Sequence, residues 1–500
     1  MEQISVGKTS RGAQASRRHP RTSHGGVAKY RGAGRPKDTW VSPVKGAHFS
    51  LDTKKILWPI SSPSSILPSM SRTIRNFFAL DHLGSDIKTE TLAGLTTFLT
   101  MSYIIVVNPA ILSQSGLPAS GALTATILVS ALSSILMGLI ANLPFALAPG
   151  MGLNAFFTYS LVLGRGLPWQ SALGAVVLSG ILFLFLTLFN VREMVVKTIP
   201  GNLRHALACG IGLFLALIGL EKAGFVVDHP ATLVTHGDFT SPSVLLFLFG
   251  FFLTAALLAY RFRGAILIGI IITTAAALPA GQATLPQHLL ARPDFSTAFL
   301  HFRFSNLFVP AMIGPLFTLL FTDLFDSLST FVGVAEASDL LDSDGQPRNL
   351  RKALFVDAIA TLSAGLFGSS SGTTYIESAA GVQQGGRSGL TAVVAGLCFL
   401  PFLFAAPLAA AIPDCATAPA LVLIGIFMFR NIRNMHLENW EDGVPAFLAV
   451  VLIPLTYSIT QGIVWGFLSH TLMRILRGRA NEIPPMLWVL SFLSILALLF

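Results

Sequence analysis

The chain has 500 residues, of which 53% are hydrophobic and only 11% are charged, and its mean hydropathy is +0.68. Because a soluble domain carries about 25% charged residues, this composition excludes an ordinary soluble protein and predicts a polytopic membrane protein. The formal net charge of +9 lies entirely in the first 69 residues, which hold 12 Lys or Arg and 3 Asp or Glu, so the basic balance does not indicate nucleic-acid binding.

The N-terminal segment 1–75 is basic, rich in Arg, Ser, Gly and Pro, and lacks apolar periodicity, so we predict that it is disordered. Three interpretations compete: a transit peptide, a basic cytoplasmic tail attracted to anionic lipid, and a natural start at Met70. We favour the third, because the organised sequence begins there. No secretory signal is visible near Met1.

The remaining chain is predicted to cross the membrane fourteen times, since one span needs about 20 mostly apolar residues. Continuous candidates lie at 90–113, 119–141, 168–189, 204–221, 243–260, 264–281, 307–334, 351–368, 388–411, 418–432, 443–458 and 460–475, and interrupted candidates at 146–163 and 369–386. We expect a transporter domain over 76–478, with repeats at about 90–281 and 307–475. The C-terminal segment 479–500 contains an apolar run, 485–500, that predicts an interfacial helix or an additional span.

The basic residues of the loops support this count. With the N-terminus inside, loops after even-numbered spans collect fourteen Lys or Arg residues, whereas the opposite side holds only Arg165, Lys222, Arg292 and Arg303. Cytoplasmic loops carry an excess of Lys and Arg. We therefore expect a multi-pass protein of the plasma or inner membrane, with both ends of its membrane domain cytoplasmic.

The two interrupted segments hold the third place in each set of seven spans, and an odd number of spans forces the two halves to lie inverted. Inverted repeats with broken spans at matching places indicate a transporter's binding site. Their centres read "APGMGLNAFF" and "SSSGTTYIESAAG". We predict short extended strands there, crossing at the bilayer centre with Gly372 in the middle of the second. Ordinary glycine-kinked helices are the alternative.

Three acidic residues lie in apolar sequence without a neighbouring cation, namely Asp323, Asp326 and Glu377. Each costs about 2.5–3.5 kcal/mol at the centre of a span. A carboxyl group there favours its neutral form, so it can take up a proton on one side and release it on the other. We therefore predict proton coupling by Glu377, Asp323 and Asp326. Carboxyls held by hydroxyls for helix packing are the alternative, most of all for Asp326, which need not face the same cavity.

Other polar and aromatic residues near the interrupted segments are candidates for substrate binding. Asn154 offers a donor and acceptors to the edge of a base, or it caps a helix. Gly152, Thr374 and Tyr375 belong to the same predicted pocket. Weaker candidates are Asp357, Asn108 and Thr322, and the aromatic rings Phe156, Phe157 and Phe325. Asp339, Asp342 and Asp344 lie in a polar loop and are expected to be solvated.

Four motifs together resemble a known family. They are "GSDIKTETLAGLTTFLTMSYIIVVNPAIL", "ALAPGMGLNAFF", "FTDLFDSLSTFVGVA" and "GTTYIESAAGVQQGGRSGLTAVVAG". In this order they resemble the azaguanine-type (AzgA-like) purine permeases of the nucleobase–cation symporter superfamily, which includes the uracil permease. The resemblance covers about residues 76–478.

The resemblance implies a fourteen-span fold with a core and a gate domain, and proton symport of hypoxanthine, adenine or guanine. It also implies that Asp323 and Glu377 bind the base with help from Asn154. The family's run of threonines reads "SSSGTT" here, so Gly372 removes a side chain close to the predicted pocket. We expect a purine nucleobase, a proton and the lipid bilayer as partners, no nucleic acid, no metal ion and no cofactor. A homodimer stays open.

Other functions fit the sequence less well. An anion or bicarbonate carrier of the same fold would favour a basic residue near the strands, and a uracil or xanthine permease is a further alternative. A channel would not need a carboxylate pair on broken helices. The three cysteines, Cys209, Cys398 and Cys415, have no spacing that indicates a disulfide or zinc site. An intramembrane aspartyl protease would place its aspartates on two helices, so we predict that the chain is not an enzyme.

Overall fold

A computed structural model describes residues 67–189, 199–336, 340–341 and 347–499. The helices of the first half are α1 Leu67–Phe77, α2 Ile87–Met101, α3 Ile104–Leu112, α4 Ala119–Leu136, α5 Met151–Ala155, α6 Trp169–Leu188, α7 Gly201–Lys222, α8 Pro242–Ala259 and α9 Ala265–Ala277. Those of the second half are α10 Ile313–Glu336, α11 Leu350–Phe367, α12 Ser378–Gln383, α13 Gly389–Phe399, α14 Ala406–Ala410, α15 Asp414–Phe429, α16 Trp440–Leu455, α17 Ile459–Leu476 and α18 Pro485–Leu499. Four short strands complete the fold: β1 Leu147–Pro149, β2 Val226–His229, β3 Leu233–His236 and β4 Gly372–Thr374.

Some predicted features lie outside these ranges. They are most of the N-terminal extension, the loop residues Asp339, Asp342 and Asp344, and the basic residues Arg192 and Lys197.

The end of the predicted disordered segment is helical instead. Helix α1 begins at Leu67, so the last nine residues of the segment 1–75 are helical. Its Ile74 packs against a small apolar cluster that contains Phe78 and Leu390. Burial of these side chains orders the segment, a tertiary contact that composition alone does not reveal.

The predicted class of an all-helical polytopic membrane protein is confirmed. Seven helical stretches within the described ranges are long and apolar enough to cross a membrane. Shorter apolar helices lie at Met151–Leu163, Ala265–Ala277, Gly389–Phe404 and Pro485–Leu499. The interrupted segments contain β1 and β4, as predicted, so glycine-kinked helices are excluded there.

Strands β1 and β4 pair with each other although more than two hundred residues separate them. They are antiparallel, with Leu147 opposite Thr374 and Pro149 opposite Gly372. The second strand therefore starts at Gly372, which was predicted to lie in its middle. An antiparallel pair formed by the third span of each half is the arrangement that two inverted repeats produce.

Helix packing shows the same inversion. Helix α4 packs against α13, and α6 packs against α11. In the fourteen-span count these contacts join span 2 to span 11 and span 4 to span 9. Span 2 of the first repeat corresponds to span 9 of the second, and span 4 corresponds to span 11, so the two contacts are equivalent under the repeat symmetry. Small residues allow these backbones to approach. A Cβ built on Gly180 of α6 would lie 2.6 Å from the backbone of Leu362, and one on Gly396 of α13 would lie 2.8 Å from the carbonyl oxygen of Ala131.

The helices form two packed groups. The core bundle contains α2, α3, α4, α5 with the helical segment Phe156–Leu163 that follows it, α6, α10, α11, α12, α13 and both central strands, and the gate bundle contains α7, α8, α9, α15, α16 and α17. The gate bundle is centred on α7 and α15, which correspond to spans 5 and 12. Their closest approach pairs Gly212 with Gly425, where a Cβ on Gly212 would lie 2.6 Å from the Gly425 carbonyl oxygen.

The C-terminal apolar run forms α18, which packs against α10 and α17. Ser491 shares a hydrogen bond of 2.6 Å with Thr471 of α17, and Leu487 and Leu490 are buried. Fifteen residues extend about 22 Å as a helix, less than the hydrocarbon thickness of about 30 Å.

We predict that Gly212→Ala lowers the melting temperature of the detergent-purified protein. The added methyl group collides with a backbone carbonyl, and overpacking of this kind costs about 1–3 kcal/mol. Gly201→Ala is the matched control in the same helix, because its Cβ meets only the Arg204 side chain at 3.6 Å. Equal melting temperatures for the two variants would contradict the close packing of α7 on α15.

A loop between the two repeats is held to α4 by one aspartate. Asp294 accepts hydrogen bonds from the hydroxyls of Ser120 at 2.7 Å, Thr297 at 2.6 Å and Ser296 at 2.9 Å, and its N–H donates to Thr124. Burial by itself would raise the pKa of Asp294. The hydroxyl donors outweigh burial and lower this pKa to about 2.

We predict that Asp294→Asn lowers the melting temperature at pH 7. A carboxylate whose pKa is lowered on folding stabilises the fold above its unfolded pKa of about 3.9, and this contribution is lost as pH falls toward 2. The difference between wild type and variant should therefore shrink progressively from pH 5 downward. Asp228→Asn, at an exposed position of β2, is the control. A difference independent of pH would contradict the ionic role of Asp294.

Candidate functional site

The two central strands lie buried inside the core bundle, and neighbouring groups satisfy their backbones. Gly150 N–H donates to the carbonyl oxygen of Ser371 at 2.9 Å, and Tyr375 N–H donates to Ala146 at 3.0 Å. Ser134 accepts from Leu147 N–H at 2.9 Å. Non-helical backbone at membrane depth is tolerated only where protein buries it or where it lines a cavity. Both conditions are met here.

A central cavity of about 100 Å³ lies beside the strands, between the two bundles. The core bundle contributes residues of α5, α10 and β4, and the gate bundle contributes residues of α7 and α15. Five of the predicted site residues line it: Gly152, Asp326, Thr374, Tyr375 and Glu377. Tyr103, Phe427 and Asn431 also line it, and the sequence did not single them out.

Glu377 occupies the N-terminal end of α12, directly after the second strand. The hydroxyl of Tyr103 donates to its Oε1 at 2.6 Å. Tyr103 is almost fully buried, so this donor has a fixed position. Within the described part of the chain, no Lys or Arg pairs with Glu377. Its half-buried carboxyl group is therefore available to a ligand in the cavity.

Asp326 lies on α10 and reaches the same cavity. The hydroxyl of Thr373 in β4 donates to its Oδ2 over a long distance of 3.4 Å. The neighbouring Thr374 hydroxyl is buried and has no hydrogen-bond partner among the described residues. Two carboxyl groups and an unpartnered hydroxyl thus meet at one wall.

Asp323 lies elsewhere, although it was expected to contact the ligand. It is fully buried, and its Oδ2 accepts from the hydroxyls of Thr361, at 2.6 Å, and Ser371. It is absent from the lining of the central cavity. The order of the two aspartates is therefore the reverse of the expected one. Three residues along a helix turn a side chain by about 300°. Asp323 therefore points toward Thr361 of α11 and Ser371 of the serine run before β4.

Asn154 also lies behind the strands. Its Oδ1 accepts from the hydroxyl of Ser370, and its Nδ2 lies 3.5 Å from the sulfur of Met151. It sits inside α5, where its N–H bonds to Gly150, so the helix-capping alternative is wrong. Asn108 donates to Ser369 at 3.2 Å.

Each serine in the run before β4 therefore has its own partner from another element. Ser369 binds Asn108, Ser370 binds Asn154 and Ser371 binds Asp323. These three polar residues fix the position of the strand whose far end carries Thr374 and Glu377.

Gly372 has a packing role. A Cβ at this position would lie 3.0 Å from the backbone of Ala360 in α11. The expectation that Gly372 removes a side chain from the ligand pocket is therefore wrong, since the missing side chain would point at a helix.

Of the aromatic candidates, some are buried in the protein and one lines the central cavity. Phe156 and Phe157 are fully buried, and Phe325 borders a neighbouring cavity. Tyr375 lines the central cavity, and its hydroxyl donates to the carbonyl oxygen of Pro149 at 2.5 Å. Phe427 of the gate bundle lies at the same cavity, where its ring could contact a flat ligand.

A larger vestibule of about 550 Å³ joins the central cavity, and both share Asp326, Ile376 and Asn431. Arg204 and His205 of α7 line the vestibule, as does the weaker candidate Thr322. A side cavity of about 440 Å³ reaches Glu377 from the same end of the bundles and includes Arg430. The central cavity is thus accessible from the end of the bundles that carries Arg204 and Arg430, which we call the arginine-rich end.

The opposite end is closed by contacts between the bundles. Lys222 of the gate bundle pairs with Asp414 at 3.1 Å, and its Nζ donates to the carbonyl oxygen of Ala110 in the core bundle at 3.4 Å. Ser160 of the core bundle donates to the carbonyl oxygen of Tyr457 at 3.0 Å.

We predict that Asp323→Ala lowers the melting temperature of the ligand-free protein, whereas Asp326→Ala leaves it nearly unchanged. Loss of Asp323 removes the shared acceptor of the buried Thr361 and Ser371 hydroxyls, of which Thr361 keeps the Gly372 carbonyl oxygen at 3.2 Å, and a buried donor left without its acceptor costs about 1–3 kcal/mol. Asp326 faces the cavity, where water can replace it. Both variants lie on the same helix, so each controls for the other. The opposite ranking would contradict the placement of the two aspartates.

Residues 88–465 match the model of the Permease family. Adenine permease AdeP of Escherichia coli strain K12 is 41% identical over 427 residues, which cover 85% of this chain and 96% of AdeP. Guanine/hypoxanthine permease PbuO of Bacillus subtilis strain 168 is 38% identical over 429 residues, which cover 84% and 99% of the two chains.

Among solved structures, the transmembrane domain of the cyanobacterium bicarbonate transporter BicA has a TM-score of 0.60. It covers 75% of this chain and 97% of that domain at 18% sequence identity, so the two share a fold. The family match and the relatives identify a transporter and not an enzyme. This chain is a multi-pass membrane protein that belongs to the Permease family.

Proposed function

We propose that this permease is a proton-coupled symporter that imports purine nucleobases across the cell membrane by alternating access. The observation that carries the proposal is the pair of carboxyl groups, Glu377 and Asp326, that line one central cavity beside the strands. Neither has an ion-pair partner in the described part of the chain. The relatives that support a purine substrate are named as adenine and guanine/hypoxanthine permeases.

The chemistry of the cavity suits a nucleobase. Purine bases carry ring N–H donors that a carboxylate accepts in a charge-assisted hydrogen bond. Glu377 and Asp326 supply the acceptors, the Thr374 hydroxyl can donate or accept, and Phe427 offers an aromatic face. In this proposal Asn154 and Asp323 support binding indirectly, by holding the serine run before β4.

Proton coupling follows from the same carboxyl groups. A carboxyl group that lacks a cation in a low-dielectric site favours its protonated form. Exposure to water on the other side favours release of the proton. Binding of the base beside Glu377 and Asp326 thereby links the movement of the base to the movement of a proton.

Alternating access requires a site that opens to one side at a time. The central cavity joins the vestibule on the arginine-rich side, whereas Lys222 and Ser160 bridge the bundles at the other end. Cytoplasmic loops carry the excess of basic residues. We infer that the described conformation faces the cytoplasm and that both ends of the membrane domain lie there.

The competing substrates are an inorganic anion, such as bicarbonate, and the pyrimidine uracil or the purine xanthine. The BicA domain shares the fold, but its 18% identity carries no substrate information. An anion would meet two carboxyl groups at the cavity wall, which disfavours it. Uracil and xanthine carry ring N–H donors as well, so only competition can separate them from the other bases.

We expect proteoliposomes that contain the purified protein to accumulate radiolabelled adenine, hypoxanthine or guanine under an inward proton gradient. A protonophore should abolish accumulation, because the gradient drives it. Excess unlabelled uracil, xanthine and bicarbonate should compete weakly. Uptake that persists unchanged with the protonophore would remove proton coupling, and strong competition by uracil, xanthine or bicarbonate would reassign the substrate.

Variants of Glu377 separate binding from coupling. Glu377→Ala should abolish binding, since it removes the acceptor. Glu377→Gln should bind the base without concentrating it, because a carboxamide keeps hydrogen-bonding groups but exchanges no proton. Glu438→Gln, at an exposed glutamate, is the control and should transport normally. Full accumulation by Glu377→Gln would exclude Glu377 as the coupling residue.

A further inference from the structure

One residue of the gate bundle borders every cavity around the site. Asn431 lies in the helical turn Arg430–Asn434 that follows α15. It lines the central cavity, the vestibule and the side cavity. Glu377 and Asp326 line the central cavity from the core bundle, so a ligand held there lies between these carboxyl groups and Asn431.

The amide group of Asn431 is held in one orientation. Its Nδ2 donates to the carbonyl oxygen of Met428 at 2.9 Å. A carbonyl oxygen can only accept, so the amide nitrogen must point toward Met428. The amide oxygen then lies 3.3 Å from Nδ1 of His205 in α7, which must be the donor. Rotation of the amide by 180° would place its oxygen against the Met428 carbonyl oxygen, two acceptors that cannot hydrogen-bond to each other.

These contacts leave half of the amide's capacity unused. A carboxamide has two N–H donors and two acceptor lone pairs. Met428 takes one donor and His205 takes one lone pair. One donor and one acceptor remain, in an order that the two contacts fix.

The carboxyl groups determine which edge of the base Asn431 meets. Every purine base has an imidazole-ring N–H, and a carboxylate is its strongest acceptor. With the N9–H of the base on Glu377 or Asp326, the opposite edge, which carries N1 and the 6-position, turns away from these carboxyl groups and toward Asn431. Adenine presents a donor there, its amino group, beside the acceptor N1. Hypoxanthine presents an acceptor, O6, beside the donor N1–H. The order of donor and acceptor is thus opposite in the two bases.

We propose that Asn431 sets the selectivity of this permease between 6-amino and 6-oxo purines, with His205 as the positioning residue that holds its amide. The inference rests on the proposed purine transport. A fixed amide can match only one order of donor and acceptor. Relatives of this chain include permeases named for adenine and for guanine/hypoxanthine at similar identity, so overall similarity does not decide which base is preferred.

The test is the ratio of the dissociation constants for adenine and hypoxanthine, measured by competition binding on purified protein. A well-formed pair of hydrogen bonds is worth about 5- to 150-fold in discrimination, so the wild-type ratio should differ from one by this order. Asn431→Ala should bring the ratio close to one. His205→Leu keeps the amide and its contact with Met428 but removes the donor to the amide oxygen, so the amide is held by one contact instead of two and the ratio should move part of the way toward one.

Asn434→Ala is the matched control. It lies in the same turn and lines the vestibule and the side cavity but not the central cavity, so its ratio should equal that of wild type. A ratio near one in wild type, or a ratio unchanged in Asn431→Ala, would overturn the inference. If Asn431→Ala does not fold, the ratio in His205→Leu decides. Wild-type protein that binds neither base would instead contradict the proposed function.

Discussion

The structure depends on one constraint: backbone that leaves the helical path inside a membrane must find hydrogen bonds within the protein. Two three-residue strands, β1 and β4, meet this constraint by pairing with each other. The run before β4 adds a second level of support, since Ser369, Ser370 and Ser371 each bind a polar side chain from a different element. An unsatisfied polar group in hydrocarbon costs several kcal/mol. These contacts therefore give the strand one well-defined position.

The position of the strand in turn fixes where the carboxyl groups of the cavity lie. Glu377 follows it by three residues and receives a hydrogen bond from the buried Tyr103. Asp326 reaches the same space from α10. Polar residues near the site thus divide into two layers. One layer faces the cavity, and the other, with Asn108, Asn154 and Asp323, holds the backbone. Because both layers are buried and polar, both have the same appearance in the sequence.

The two bundles contribute different kinds of residue to the cavity. The core bundle carries the strands and the carboxyl groups, and its helices approach closely at small residues such as Gly180 and Gly396. The gate bundle contributes Phe427 and Asn431 to the opposite wall. A ligand between the walls contacts both bundles, which is the arrangement that the proposed alternating access requires. Lys222 and Ser160 bridge the bundles at one end, whereas the vestibule and the side cavity lie at the arginine-rich end, where Arg263 donates to Gln384.

The sequence by itself determined the membrane setting, the polytopic helical class and the two interrupted segments, because hydropathy, charge and glycine content are properties of composition and order. It also singled out Glu377, because a carboxyl group in apolar sequence beside an interrupted span costs free energy in any membrane fold. Tertiary structure alone decided which aspartate faces the cavity, because Thr361 and Ser371 hold Asp323 inside the protein whereas Asp326 reaches the cavity beside Thr373. It also decided that Gly372 packs on α11 and that Tyr103 and Asn431 line the site. Such roles arise from contacts between residues far apart in the chain, which no local pattern records.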